Sequence, residues 1–314
     1  MNKILAAIVI FTCGVSLCYA NELINPFTTD GNWYKGNLHT HTNKSDGDVN
    51  LPERVKQYRD KGYKVLAVTD HEKTNHVAGY SDANFLLISG METHPKSNAE
   101  TKYHLVCVNI PESLTFAKDV NANERVRQIK AAGGEVIFAH PYWSGHTIND
   151  MLAVNGIVGM EVYNSVCEES GKGHNEVQWD QILNTGKMLP ALANEDVHRS
   201  ADVGKSWTMF KAKDLSLNSI MDALRNGCFY SSCGPEIKDF RVDGNSIIIK
   251  CSPVVKIRFV GQNSYGKIVA ADKNSTITSA DYKLSNKLRW VRAEVVDANG
   301  MYAWTNPIEL KNRQ

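Results

Sequence analysis

The stretch PERVKQYRDKGYKVLAVTDH, residues 52–71, decides the fold. Pro52 to Lys61 has helical spacing with proline near its start, and Gly62 stops it. Val65-Leu66-Ala67-Val68 then reads as a short buried strand, and it ends in Thr69-Asp70-His71. Helix, glycine stop and strand recur outward from here. Phe85 to Ser89, Leu105 to Asn109, Val136 to Ala139, Gly159 to Tyr163 and Pro190 to Ala193 have the same strand character. Helices are expected over Ala122–Ala132, Glu176–Thr185 and Ser219–Asn226, stopped by Gly133, Gly186 and Gly227. Such alternation from about Trp33 to about Tyr230 predicts an α/β fold with a largely parallel sheet.

After Gly234-Pro235 the pattern changes. Ser246 to Ile249 and Lys256 to Val260 are β-branched runs, and Trp290 to Val296 alternates apolar and polar side chains. Asp243-Gly244 and Asn299-Gly300 mark turns. Residues 235–314 therefore read as a small all-β sandwich, joined to a 21–234 domain by a linker from Ser231 to Pro235.

Residues 1–20 read as a signal peptide. Lys3 is followed by the apolar run Ile4 to Leu17, and Cys18-Tyr19-Ala20 suits cleavage before Asn21. The mature chain is expected in the periplasm or outside the cell, without a membrane span. Beyond residue 20, basic and acidic side chains balance at 34 each, which argues against a surface that coats nucleic acid. Any attraction for an anion must come from a local site. Five cysteines remain (Cys107, Cys167, Cys228, Cys233 and Cys251), too few and too irregular for a disulfide framework. Cys228 and Cys233 are spaced to pair across a turn, or to stay free.

The informative feature is where histidines and carboxylates fall. In His39-Thr40-His41 the imidazoles are two apart, so an extended backbone aims both one way. Asp196-Val197-His198 repeats this spacing after the Pro190–Ala193 strand. His71, Glu92 and His140 each end a strand, His104 begins one, and Asp46 lies in Ser45-Asp46-Gly47. A lone strand-end histidine is usually a hydrogen-bonded core residue. Strand after strand ending in a ligand type points instead to metals at one rim of a barrel.

Asn37-Leu38-His39-Thr40-His41, Ser45-Asp46-Gly47, Thr69-Asp70-His71, Gly90-Met91-Glu92, His104-Leu105, His140-Pro141 and Asp196-Val197-His198 occur in that order. Together they resemble the PHP (polymerase and histidinol phosphatase) family of metal-dependent phosphoesterases, over about Asn37 to Pro235. Gly227 to Gly234 and Ala303-Trp304-Thr305-Asn306-Pro307 are similar to motifs of exported members with a C-terminal β-sandwich. The resemblance implies a distorted seven-stranded (β/α) barrel holding two to three divalent ions. It implies that His39, His41 and Asp196 hold the first metal. Asp46 and His71 would hold the second with His140 nearby, His104 and His198 a third, and Glu92 would bridge. Mixed imidazole and carboxylate ligands suit zinc, manganese or iron.

Charge bears on the substrate. Three divalent ions against Asp46, Glu92 and Asp196 leave a residual charge of about +3, less one for a bridging hydroxide, and this attracts phosphate. Two ions leave about zero and favour a neutral amide or ester. The expected reaction is metal-assisted hydrolysis of a phosphate mono- or diester on a small metabolite, nucleotide or sugar. In it Asp70 orients a ligand imidazole and Asp196 is placed to accept a proton as well as ligate. Arg199 is read equally as a phosphate clamp and as a surface salt bridge. Tyr142, Trp143 and His146 are pocket or packing residues. Asn164 contacts substrate or ties a loop, and His174 and Lys205 are weaker candidates. His76 and His94 are expected to face solvent. The alternatives are an amidase or deacetylase on glycans, or a binding protein that uses the sandwich.

Overall fold

The computed structural model describes residues 22–97, 102–117 and 119–310, so the expected signal peptide lies outside the described residues. The chain begins with β1 (Asn32–Asn37), α1 (Leu51–Asp60), β2 (Val65–Val68), β3 (Leu86–Thr93) and β4 (Leu105–Val108). Next come α2 (Ala122–Ala131), β5 (Glu135–Phe138), α3 (Ile148–Leu152), β6 (Gly159–Asn164), α4 (Glu176–Asn184) and β7 (Ala191–Asn194). Then follow β8 (Trp207–Ala212), α5 (Leu217–Arg225) and β9 (Phe229–Ser232). The four helices expected from the sequence lie within two residues of α1, α2, α4 and α5. Their starts are chemically marked: Asn50, Asn121 and Ser216 cap α1, α2 and α5 by accepting a backbone N–H from the third residue onward.

β1 to β7 pair in sequence order. β1, β2 and β3 are parallel, as are β5, β6 and β7. β4 is antiparallel to both β3 and β5, so the sheet is less uniformly parallel than expected. Antiparallel neighbours need no crossover helix, which is one reason why helices are fewer than strict alternation requires. Past the strand ends, Thr40 bridges Val197 in parallel, and Asp196 N–H donates to the His39 carbonyl at 2.9 Å. The first and seventh strands are thereby brought together. Their ends form one rim. Because β4 runs the other way, its start, and hence His104, lies at the same rim.

The C-terminal part forms two layers. β10 (Ile237–Asp243), β11 (Ser246–Val254) and β14 (Ile277–Lys283) form one sheet. The other contains β12 (Lys256–Gly261), β13 (Gly266–Ala270), β15 (Trp290–Val296), β16 (Tyr302–Thr305) and the short β17 (Ile308–Glu309). Phe240, Ile247, Ile249, Ile257, Phe259, Val291 and Val295 fill the space between the layers.

Two expectations need correcting, and the choice left open at Cys228 and Cys233 is decided. The Ser231–Pro235 linker is in part buried strand: β9 pairs with β8 on one side and β16 on the other, joining both parts in one sheet. Ser231 and Ser232 can sit there because their hydroxyls donate to the carbonyls of Ala191 and Pro235. Cys228 and Cys233 are unpaired, and all five described cysteines are buried free thiols. The alternating Trp290–Val296 strand is buried on both faces. Its polar face is covered by α4, where the guanidinium of buried Arg292 lies over the Trp179 ring and binds Asp180 (2.8 Å) and Glu294 (2.7 Å).

A buried charge stripped of its partner costs far more than the intact pair contributes. Arg292→Met leaves Glu294 buried with only Arg258 beside it, at 3.1 Å. A loss of ~3 kcal/mol is expected, read as a lower urea midpoint with an unchanged slope.

Candidate metal centre

The rim is built by short segments that continue the strands. His39 and His41 follow β1 with their ring centres 5.2 Å apart. Asp196 and His198 follow β7, Asp70 and His71 follow β2, and Glu92 lies near the end of β3. Asp196 (φ 59°) and His140 (φ 24°) hold the left-handed backbone region that non-glycine residues seldom enter. Here it turns both side chains inward from the strand ends.

Glu92 is the centre of the arrangement and is 1 % exposed. Its Oε2 lies 3.4 Å from His39 Nε2, 3.6 Å from His41 Nε2 and 2.9 Å from His71 Nδ1. Its Oε1 faces the other way, 2.7 Å from His104 Nδ1 and 3.4 Å from His140 Nε2. Asp196 places Oδ1 3.1 Å from His39 and 2.9 Å from His41, and Oδ2 3.6 Å from His140. Asp46 Oδ2 lies 3.2 Å from His71 and 3.3 Å from His198.

Five overlapping groups result among the described residues, each with ligand atoms within 4.8 Å of one another: His39, His41, Glu92 and Asp196; His41, Asp46, His71 and His198; Glu92, His104 and His140; His71, Glu92 and His94; and His140, Cys167 and Asp196. All nine residues singled out as ligands in the sequence are brought together here. Residues 37–185 match the PHP domain family. The chain therefore carries a PHP domain over this segment. A two-domain protein from Bacteroides vulgatus, containing a predicted PHP-like metal-dependent phosphoesterase, is similar in fold: TM-score 0.55, 16 % identity, 89 % of this chain and 95 % of that one. An amidohydrolase from Chromobacterium violaceum has 16 % identity over 54 % of this chain and 89 % of that one, at a TM-score of 0.44. A lesion-specific endonuclease from Pyrococcus furiosus has 16 % identity over 62 % of this chain and 56 % of that one, at 0.45. No curated protein matches the chain in sequence.

The donor set of the PHP centre fits divalent cations. His39 Nε2, His71 Nδ1 and Glu92 Oε2 are buried, close together and without a hydrogen bond. Leaving such atoms unsatisfied costs ~1–3 kcal/mol each, and a shared cation removes that cost. Burial alone would lower the His39 pKa, but Asp196, Glu161 and Glu92 outweigh it and hold it well above the usual value. These surroundings attract positive charge. Imidazole and carboxylate donors together accept zinc, manganese or iron.

The grouping differs from the sequence expectation. His104 and His198 do not share a site, because Glu92 stands between their groups. His140 joins His104 rather than Asp46 and His71. Asp70 touches no imidazole. It accepts from Thr42 N–H (2.8 Å), Ser45 Oγ (2.6 Å) and Asn75 Nδ2 (2.5 Å), and so shapes the loop that carries Asp46. Arg199 is a salt-bridging residue: its guanidinium is tied to Asp202 and to Glu169 (2.5 Å). Lys205 is held by Asp202 as well. His146 is buried with its ring stacked on Tyr103 at 4.8 Å. His174 packs among Tyr163, Tyr302 and Trp304. His76 is exposed beside Glu112, as expected.

Three residues (Glu161, His94 and Arg54) were missed or misread in the sequence, and the open choice at Asn164 falls on one side. Glu161 Oε1 binds His39 Nδ1 at 2.8 Å and thereby sets which ring nitrogen faces the centre. Asn164 Nδ2 donates to Glu161 Oε2 at 2.8 Å, the loop-tying role rather than substrate contact. His94 is not solvent-facing: its ring centre is 4.4 Å from His104 and 4.9 Å from His71, and Glu72 lies 3.4 Å away. Its signal was in the sequence, since Glu92 and His94 are two apart like the other ligand pairs. Arg54, fully buried on α1, donates to the carbonyls of His41 (3.0 Å) and His198 (3.3 Å), clamping both ligand segments. Nothing in its local sequence separates it from a solvated helix arginine.

Glu161→Gln keeps the shape but removes the charge behind His39. Metal affinity is expected to fall ~10–100-fold with little change in melting temperature of the metal-free protein. Competition against a fluorescent chelator reads the first quantity, and calorimetry the second.

Proposed function

We propose that this protein hydrolyses a phosphate ester of a small molecule at the PHP centre. The observation that carries this reading is Glu92, whose two oxygens face two separate imidazole groups as a bridging carboxylate must. Bound divalent ions would supply Lewis acidity and bring the pKa of a water towards ~7. The chain's own residues do the rest. His39, His41, Glu92 and Asp196 would hold one ion, Asp46, His71 and His198 a second, and Glu92, His104 and His140 a third. Glu161 and Asn164 fix the His39 ring and Asp196. Asp196 Oδ2, facing His140 at 3.6 Å, is the atom to which the attacking water's proton would pass.

A cavity of about 490 Å³ opens over these ligands, a volume suited to a small metabolite. Three ions leave net positive charge, which favours phosphate. We read β1 to β7 as the distorted seven-stranded barrel, supported by the Thr40–Val197 bridge. Residues 21–234 and 235–314 would be its two units. Export follows from the signal-like residues 1–20. No helix among the described residues is long and apolar enough to cross a membrane.

Elemental analysis of the purified protein, paired with a panel of phosphate mono- and diesters, tests the reading. About three ions per chain and release of phosphate or alcohol are expected. Two ions with turnover of amides or acetylated glycans would replace it with the amidase reading. Full biological activity of His39→Ala would replace it with the binding-protein reading.

A further inference from the structure

Trp143 is exposed (45 %) and belongs to none of the hydrophobic cores, so core packing does not account for it. It lines the metal cavity, standing nearly perpendicular to the ligand rings of His140 (5.1 Å) and His104 (5.6 Å). Val166 and Cys167 also line the cavity and add apolar surface. No lysine or arginine lines it among the described residues. Arg199 and Lys205 lie near, but Asp202 and Glu169 hold them, and Glu169 itself lines the cavity.

These walls define what a phosphate would bring with it. A second anionic group would meet Glu169 and find no free cation. A polyhydroxylated sugar would find few partners beyond Glu169 and Ser170. A flat unsaturated ring would find an indole beside the phosphate site. We propose that the substrate carries one phosphate on a group that ends in an uncharged, flat, unsaturated ring, and that Trp143 selects this ring by stacking. The proposal rests on the phosphoesterase reading for the phosphate and on Trp143 for the ring.

Benzyl phosphate and cyclohexylmethyl phosphate separate the two parts. Both release a primary alcohol of similar size and acidity, and only one has a flat ring. With manganese-loaded protein, benzyl phosphate should show a KM about five- to tenfold lower at similar kcat, the range of one aromatic pair. Trp143→Ala should abolish the preference and Trp143→Phe should keep most of it. A carboxylate at the far end of the benzyl ring should weaken binding, and Glu169→Gln should restore it. Equal KM values in the wild type, or a preference that survives Trp143→Ala, would overturn the proposal.

Calorimetric binding of the matching non-hydrolysable phosphonates, benzylphosphonate and cyclohexylmethylphosphonate, keeps the two readings apart. A ring preference in binding without turnover of any ester would uphold the role of Trp143 and remove the hydrolase reading. Turnover with no preference would do the reverse.

Discussion

Glu92→Gln protein is expected to bind fewer metal ions and to lose at least ~10²-fold in ester turnover, because loss of a residue that merely supports a ligand already costs 10–100-fold. Glu92 does more than support. One oxygen faces His39, His41 and His71, and the other faces His104 and His140. Burial would raise its carboxyl pKa, but His39 and the hydrogen bonds from His104 and His140 hold it well below the usual range. Glutamine has the same shape and no charge, and only one of its two terminal atoms can accept a metal. It cannot bridge. The metal-free variant should fold as the wild type does, since glutamine keeps the shape and the carboxylates of Glu161 (2.8 Å) and Asp196 (3.1 Å) remain beside His39. Elemental analysis, circular dichroism and turnover should therefore split: less metal, unchanged spectrum, little activity. Wild-type metal content and rate in this variant would remove Glu92 from the centre.

Chelation should lower the melting temperature by at least ~8 °C, the contribution of a single ion, relative to protein held with metal at a thousandfold excess over its dissociation constant. Ligand binding at that excess contributes ~4 kcal/mol to the folded state, and for a large domain ~1 kcal/mol moves the midpoint by ~2 °C. The physical source is the set of buried, mutually facing donors, which the folded chain holds together and the unfolded chain does not. Lowering the pH should narrow the gap, because protons compete with metal for the ligand imidazoles. Calorimetric scans with metal and with chelator at pH 5.5 and 7.5 measure both effects. An unchanged midpoint on chelation would mean that metal adds nothing to the fold.

Much of this architecture was legible because the signals were local. The Gly62, Gly133, Gly186 and Gly227 stops placed four helices. The two-residue spacing of His39 with His41 and of Asp196 with His198 predicted side chains aimed one way, and it applies equally to Glu92 with His94. Failures came where a partner is distant in the chain. Asp70 ends a strand as a ligand does, yet Thr42, Ser45 and Asn75 supply donors that claim its oxygens. Arg199 follows a ligand pair, yet Asp202 and Glu169 hold it. Trp290–Val296 alternates like a half-exposed strand, yet α4 covers its polar face through Arg292 and Asp180.

The sequence alone determined which side chains point inward from strand ends, since backbone periodicity is a property of a few consecutive residues. Together with the family resemblance it singled out the nine candidate ligands that the fold brings together. Only the tertiary structure decided which of them stand close enough to share an ion, that Glu161 stands behind His39, and that Trp143 is exposed at the cavity. Those facts depend on the direction of β4 and on the meeting of β1 with β7, where residues over 150 positions apart come into contact, as His41 does with Asp196 at 2.9 Å.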